Sequence, residues 1–234
     1  MKGEVMRRKL PVLLAAALML FSLWVDSTPI SADVDDLKYA FPEPVILIDV
    51  GHGGIDGGTS YGDILEKDIN LDISRRLYML LRSHGYRTIL NRTGDYALSD
   101  ENRWLKSRSR HIRDLAQRKE LSEQVPSSIV VSMHVNWGRN KTRRGPLVLH
   151  QNEGRSAFLA TSIQNSLDTL YNSHRFPQVG EPFYLLKHVD SPAVIVETGF
   201  ISNREDRAML TSKRGQQKIA EAIYAGIVQY FTVM

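Results

Sequence analysis

The chain has 234 residues, 42% hydrophobic and 24% charged, ordinary proportions for a globular protein, and it shows neither the low-complexity tracts nor the fixed-period repeats of disordered, fibrous or solenoid chains. Cysteine is absent, which excludes disulfides, iron–sulfur clusters and thiol nucleophiles and leaves any metal to His, Asp or Glu. The formal net charge of +4 falls to about +2 when the four basic and two acidic residues of positions 1–32 are set aside, a balance too mild to argue for nucleic acid.

The chain opens with Lys2, Arg7, Arg8 and Lys9 ahead of the apolar run Leu10 to Val25, the charged and hydrophobic regions of an export signal. Sixteen residues rise about 24 Å as a helix, between a cleaved signal and a short membrane span. Ile30-Ser31-Ala32 is a mediocre cleavage site because Ile30 is large, which favours a retained anchor. Either way the basic flank stays inside and the remainder is exported, so an extracytoplasmic location is expected. Residues 1–32 read as signal or anchor, 33–44 as a polar linker ending in Pro42-Glu43-Pro44, and 45–234 as one catalytic domain.

Val45 to Asp49 is an apolar run that closes on a Gly-rich loop, Gly51 to Gly58, as a buried strand would. From Glu66 to His84, apolar residues at Ile69, Ile73, Leu77, Leu80 and Leu81 have helical spacing, ended by Gly85. Strand 86–91, helix 107–124 stopped by Pro126, strand 128–133, strand 146–150, helix 156–171, a short strand near 183–186, strand 193–196 and helix 213–231 follow. The alternation predicts an α/β fold: a single domain with a mostly parallel central sheet flanked by helices.

In such sheets ligands bind beyond the carboxyl ends of the strands. His52 follows the first strand, His134 the strand at 128–133, and Glu197 the strand at 193–196, while Glu66 opens the first crossover helix fourteen residues after His52. All four can converge. Two imidazoles and a carboxylate make the ligand set of a catalytic zinc site with a fourth position open to water. Such a metal lowers the pKa of water to about 7, and a free Glu can relay the proton to the leaving nitrogen; that role falls to Glu197.

Each residue also has a plainer explanation. A Glu at a helix start complements the dipole, His52 can cap a loop, and strand-end histidines are ordinarily hydrogen-bonded structure. Glu197 after a wholly apolar strand is harder to explain away, since buried carboxylates need partners. His84 suits a helix C-terminus, His111 a solvated basic helix, and His150 and His188 border strands from which they could approach the site.

The segments Ile48 to Gly58 (IDVGHGGIDGG), Leu65 to Leu71 (LEKDINL), Val131 to Asn136 (VSMHVN) and Pro192 to Asn203 (PAVIVETGFISN) carry a specific resemblance to the zinc-dependent N-acetylmuramoyl-L-alanine amidases of the amidase 3 type. It extends from about Val45 to the C-terminus. The resemblance implies zinc (Zn2+) on His52, Glu66 and His134, with Glu197 as catalytic carboxylate, and peptidoglycan as substrate. Val50 stands where the family commonly has Pro, and Arg118 leads into Lys119 to Glu123 rather than into Ala-Asn.

Within the family the chain is most similar to the germination-specific spore-cortex amidases: a short N-terminal anchor, the 65–68 turn, the 107–118 helix and the closing 223–231 segment. That similarity implies action around the forespore, a muramic acid deacetylase as functional partner in muramic lactam formation, and an accessory spore-envelope protein. Only Trp137 to Gly145 separate His134 from the next strand, too few for the occluding helix that some members insert. Arg139, Lys141, Arg143 and Arg144 in that loop suit an anionic glycan or a solvated loop. The competing enzyme class is a zinc peptidase acting within the stem peptide or a vegetative autolysin, since the same ligands serve both. A catalytically inactive wall-binding module would have lost a ligand or Glu197.

Overall fold

The six residues of β1 (Val45–Val50) are all buried, as a strand covered on both faces requires. The computed structural model describes residues 45–234, so the expected leader and linker lie outside the described residues. Two short strands, β2 (Ser60–Tyr61) and β3 (Ile64–Leu65), form a hairpin that leads into α1 (Glu66–Ser83). Then come β4 (Thr88–Leu90), α2 (Arg110–Gln124), β5 (Ser127–Asn136), β6 (Leu147–His150) and α3 (Gly154–Tyr171). The chain ends with β7 (Gln178–Val179), α4 (Tyr184–His188), β8 (Ala193–Phe200), α5 (Arg204–Thr211) and α6 (Lys213–Val233).

The six-stranded sheet has the order β4-β1-β5-β8-β6-β7. Every pairing is parallel except β6 with β8, so the expected mostly parallel α/β sheet is observed with one reversal. Alternate residues take opposite faces. Ile46, Ile48, Val131, Met133, Val194 and Val196 enter the larger core with Ile73, Leu77, Ile163 and Ile223 from α1, α3 and α6. Leu47, Val130, Ala193 and Ile195 belong to a smaller cluster on the other face, with Leu185 and Leu186 of α4. The same parity puts Asp49, Ser132, His134 and Glu197 on that second face.

Local signals set the helix ends. Ser109 accepts from the Ile112 amide at the start of α2, three residues later than the expected start at 107. Glu153 accepts from the Arg155 and Ser156 amides of α3, and Ser212 from Gly215 of α6. Two strands outrun their apolar stretches: β5 continues to Asn136 and β8 to Phe200, so His134 and Glu197 sit inside the strands instead of just beyond them. The segment expected as a strand at 183–186 is the short helix α4. An apolar run of four residues does not define a period, and burial of Leu185 and Leu186 against the sheet decides its form. No helix was expected at α5, whose start is capped by Asn203. Among the described residues no helix is long and apolar enough to cross a membrane.

Helices α3 and α6 meet backbone to backbone: a Cβ on Gly226 would lie 2.5 Å from the Ile163 Cα. Gly226→Ala should therefore destabilise the protein by roughly 1–2 kcal/mol, because separating the helices outweighs the ~1 kcal/mol gain in helix propensity. A lowered urea midpoint with unchanged slope would show this, and an unchanged or raised midpoint would refute it.

Candidate metal centre

Glu66, the first residue of α1, is almost fully buried at 3% exposure. The β2–β3 hairpin folds the chain back so that the Thr59 carbonyl accepts from the Glu66 amide at 2.9 Å. In return the Thr59 amide donates to Glu66 Oε2 at 2.8 Å, and the Val135 amide to Oε1 at 2.9 Å. Both oxygens are thus aimed by backbone. His134 Nδ1 lies 3.0 Å and His52 Nε2 3.2 Å from Oε1, with the two rings edge-on at 5.0 Å. One donor atom from each of His52, Glu66 and His134 falls within 4.8 Å of the others.

His52 follows β1 in a left-handed conformation, φ +60°, which costs a non-glycine residue on the order of 1–3 kcal/mol and persists only when its surroundings impose it. Its other ring nitrogen, Nδ1, lies 3.0 Å from Asp56 Oδ2, the carboxylate backing typical of ligand histidines. Small residues keep the space open. At Gly58, where φ is +67°, a Cβ would come within 2.5 Å of Glu66 Oε2 and 2.7 Å of the His52 ring.

Glu197 is the Cα partner of His134 across the β5–β8 pairing, and its Oε2 has no hydrogen-bond partner among the described residues. Burial pushes its carboxyl up to about 6; the nearby Glu66 charge adds to this, and His134 and His52 oppose it. Glu66 is buried too, but hydrogen bonds from His134 and His52 override that penalty and hold it below the ordinary carboxylate range. For His52, burial opposes protonation, yet hydrogen bonds to Asp56 and Glu66 raise it to about 9. The His52 bond likewise lowers Asp56.

These groups line one cavity of about 430 Å3, walled also by Trp137, Phe183 and Tyr184. The structure thus brings together all four residues singled out in the sequence. It leaves out His150, bonded to the Gln151 carbonyl, and His188, packed on Tyr184. His111, expected on a solvated face, is exposed but stands at the cavity wall. Of the basic loop, Arg144 pairs with Glu205 and Arg143 lies over Phe200, while Arg139 and Lys141 are exposed. No helix interrupts the chain between β5 and β6. Sequence reasoning missed what surrounds this cluster: Asp56, and the buried groups Asp49, Arg92, Asp114 and Arg118. Asp56, four residues from His52, was the one with a local signal; buried arginines resemble solvated ones in sequence.

The sequence pattern of the N-acetylmuramoyl-L-alanine amidase family matches residues 46–229. The chain belongs to that family. It is similar to the germination-specific N-acetylmuramoyl-L-alanine amidase of Bacillus subtilis, 31% identical over 193 residues and 80% of either chain. Among solved structures, the CwlD amidase from Clostridioides difficile in complex with the GerS lipoprotein superposes with a TM-score of 0.76 at 34% identity, covering 82% of this chain and all of that one. The amidase AmiC2 of Nostoc punctiforme gives 0.68 at 30% identity, covering 81% and 97%. The protein is accordingly a hydrolase that cuts the amide between the lactyl group of muramic acid and L-alanine in peptidoglycan.

Two imidazole nitrogens and a carboxylate, with a histidine backed by Asp56, fit a divalent metal ion. The raised value for His52 means that the metal-free centre holds a proton there at neutral pH, and a ligand histidine must be neutral. Metal affinity should therefore rise with pH up to about 9, whereas the ion pairs of His52 stabilise the metal-free fold at lower pH and are lost as pH rises through about 9. Titrating metal-free protein with a zinc salt near neutral pH, in buffers of different ionisation enthalpy, should show about one proton released per ion bound. Release of none would refute protonation of His52.

Proposed function

We propose that the centre holds zinc on His52, Glu66 and His134, that Glu197 is the general acid–base of amide hydrolysis, and that the enzyme acts on spore cortex outside the cytoplasmic membrane. The observation that carries the chemistry is the pairing of the three-donor cluster with Glu197, whose Oε2 is buried in the same cavity and unpartnered among the described residues. Zinc, when bound there, supplies Lewis acidity towards the scissile carbonyl and the attacking water. Glu66, held anionic by the two histidines, contributes charge and fixed geometry. Glu197, not bonded to either histidine among the described residues, is left for proton transfer. Its carboxylate takes the water proton and hands it to the departing alanine nitrogen. A value near 6 leaves it ionised at neutral pH yet basic enough for the first transfer.

The biological setting rests on the germination-specific relative and on the basic and apolar residues before Val25. Removing the peptide exposes the lactyl carboxylate of muramic acid, which a muramic acid deacetylase needs before lactam closure. The CwlD amidase was solved with a lipoprotein, and we extend to this chain an accessory spore-envelope partner of that kind. In sporulating cells the native protein should fractionate with membrane or wall; recovery in the cytosolic fraction alone would rule this setting out.

Glu197→Gln keeps the shape of the side chain but removes the base. Zinc content should persist while release of new N-terminal alanine from purified sacculi falls by about 100-fold to 10,000-fold, or roughly 3–5 kcal/mol of barrier. With zinc kept saturating at every pH, kcat/KM of the wild type should decline as pH falls through about 6, since protonation removes the base, and that acid limb should disappear in the variant. Near-normal turnover would make Glu197 structural. Joint loss of zinc and activity would make it a ligand.

A further inference from the structure

The loop that presents His52 is held by guanidinium groups. Arg92 donates from Nε to the Val50 carbonyl at 3.2 Å and from Nη2 to the Gly51 carbonyl at 3.0 Å. Arg118 donates from Nη1 to the Val50 carbonyl at 2.8 Å and from Nη2 to the His52 carbonyl at 3.0 Å. Three consecutive carbonyls thus receive arginine N–H groups, and at His52 the donor is Arg118. Its Nε bonds Asp114 Oδ2 and its Nη1 bonds Asp49 Oδ1, both at 2.6 Å. Asp49 in turn accepts from Ser132 on β5 and from Asn91 after β4. Arg118, Asp49 and Asp114 are each at least 95% buried and line the cavity that contains the ligands.

A buried ion pair is weak evidence of stability, because desolvation offsets most of the attraction. Here the geometry gives it another use. The planar fork of arginine reaches separate acceptors in fixed directions, which the single ammonium of lysine cannot do. We propose that Arg118 is a positioning residue for the metal centre: gripped by Asp114 of α2 and Asp49 of β1, it holds the Val50 and His52 carbonyls and so keeps His52 in the left-handed conformation that aims its ring at Glu66. It touches no reacting atom and acts through the backbone of the ligand. The inference rests on the assignment of His52 as a ligand.

The test compares wild type, R118K, D114N and H52A, each as the full-length chain. The readouts are the zinc dissociation constant by chelator competition, the thermal midpoint of the metal-free protein, and kcat and KM on sacculi at saturating zinc. R118K keeps the charge that Asp49 and Asp114 require but loses the fork. Loss of partners outside the first coordination shell typically costs 10-fold to 100-fold in metal affinity. A folded R118K should thus bind zinc at least about tenfold more weakly, with kcat lowered and KM within about threefold. D114N, which loosens the grip on Nε, should shift zinc affinity the same way by less. If the lysine variant is folded and binds zinc as tightly as wild type, charge alone suffices and the proposal falls. Should R118K fail to fold, D114N decides, and unchanged zinc affinity in that variant overturns the proposal. H52A separates the two levels: if it keeps wild-type zinc affinity, the ligand assignment fails, whereas loss of zinc in H52A with retention in R118K removes only the role of Arg118.

Discussion

Glu66 Oε1 is the atom around which the site is organised. A carboxylate with 3% exposure survives burial only if donors surround it, and the donors come from distant parts of the chain: the Val135 amide on β5, the His134 ring, and the His52 ring in the loop after β1. Satisfying one buried anion therefore ties the start of α1 to two strand ends. The same atoms that meet its need for hydrogen bonds form a group that fits a metal ion. The hydrogen bonding of the buried anion and the fit to a metal ion depend alike on two imidazoles pointing at one oxygen.

The two glutamates show how environment separates identical groups. Glu66 is buried and Glu197 partly buried in the same cavity, yet one is held below and the other above the ordinary carboxylate range. The difference lies in partners. Glu66 receives backbone amides and both histidines, and Glu197 Oε2 receives nothing among the described residues. Opposed shifts of neighbouring carboxyl groups separate acid–base roles in hydrolases generally.

Sheet parity explains why the polar groups of the cavity share one side. Asp49, Ser132, His134 and Glu197 alternate with residues of the larger core, so they emerge on the face whose apolar cover is smaller. On the opposite face α1, α3 and α6 pack apolar side chains against the sheet. The thinner face keeps a cavity of about 430 Å3 edged by Trp137, Phe183 and Tyr184. The sheet thus supplies the positions, and the loop after β5 with helices α2 and α4 supplies the walls.

Apolar runs and helical spacing in the sequence by itself determined the α/β class and, at the ends of those runs and the start of the first helix, the four residues of the site, because a strand covered on both faces is apolar throughout and the first polar residue after it marks the end of that cover. Family motifs pointed to the same four. Tertiary structure alone decided that β6 runs against β8, that 184–188 is a helix, and that β5 and β8 extend past their apolar runs through His134 and Glu197. It alone decided the register that sets His134 beside Glu197, the left-handed turn at His52, and the grip of Arg92 and Arg118 upon it. Those features depend on contacts between residues 41 to 69 positions apart, and a buried arginine becomes distinguishable from a solvated one only when the fold supplies its partners.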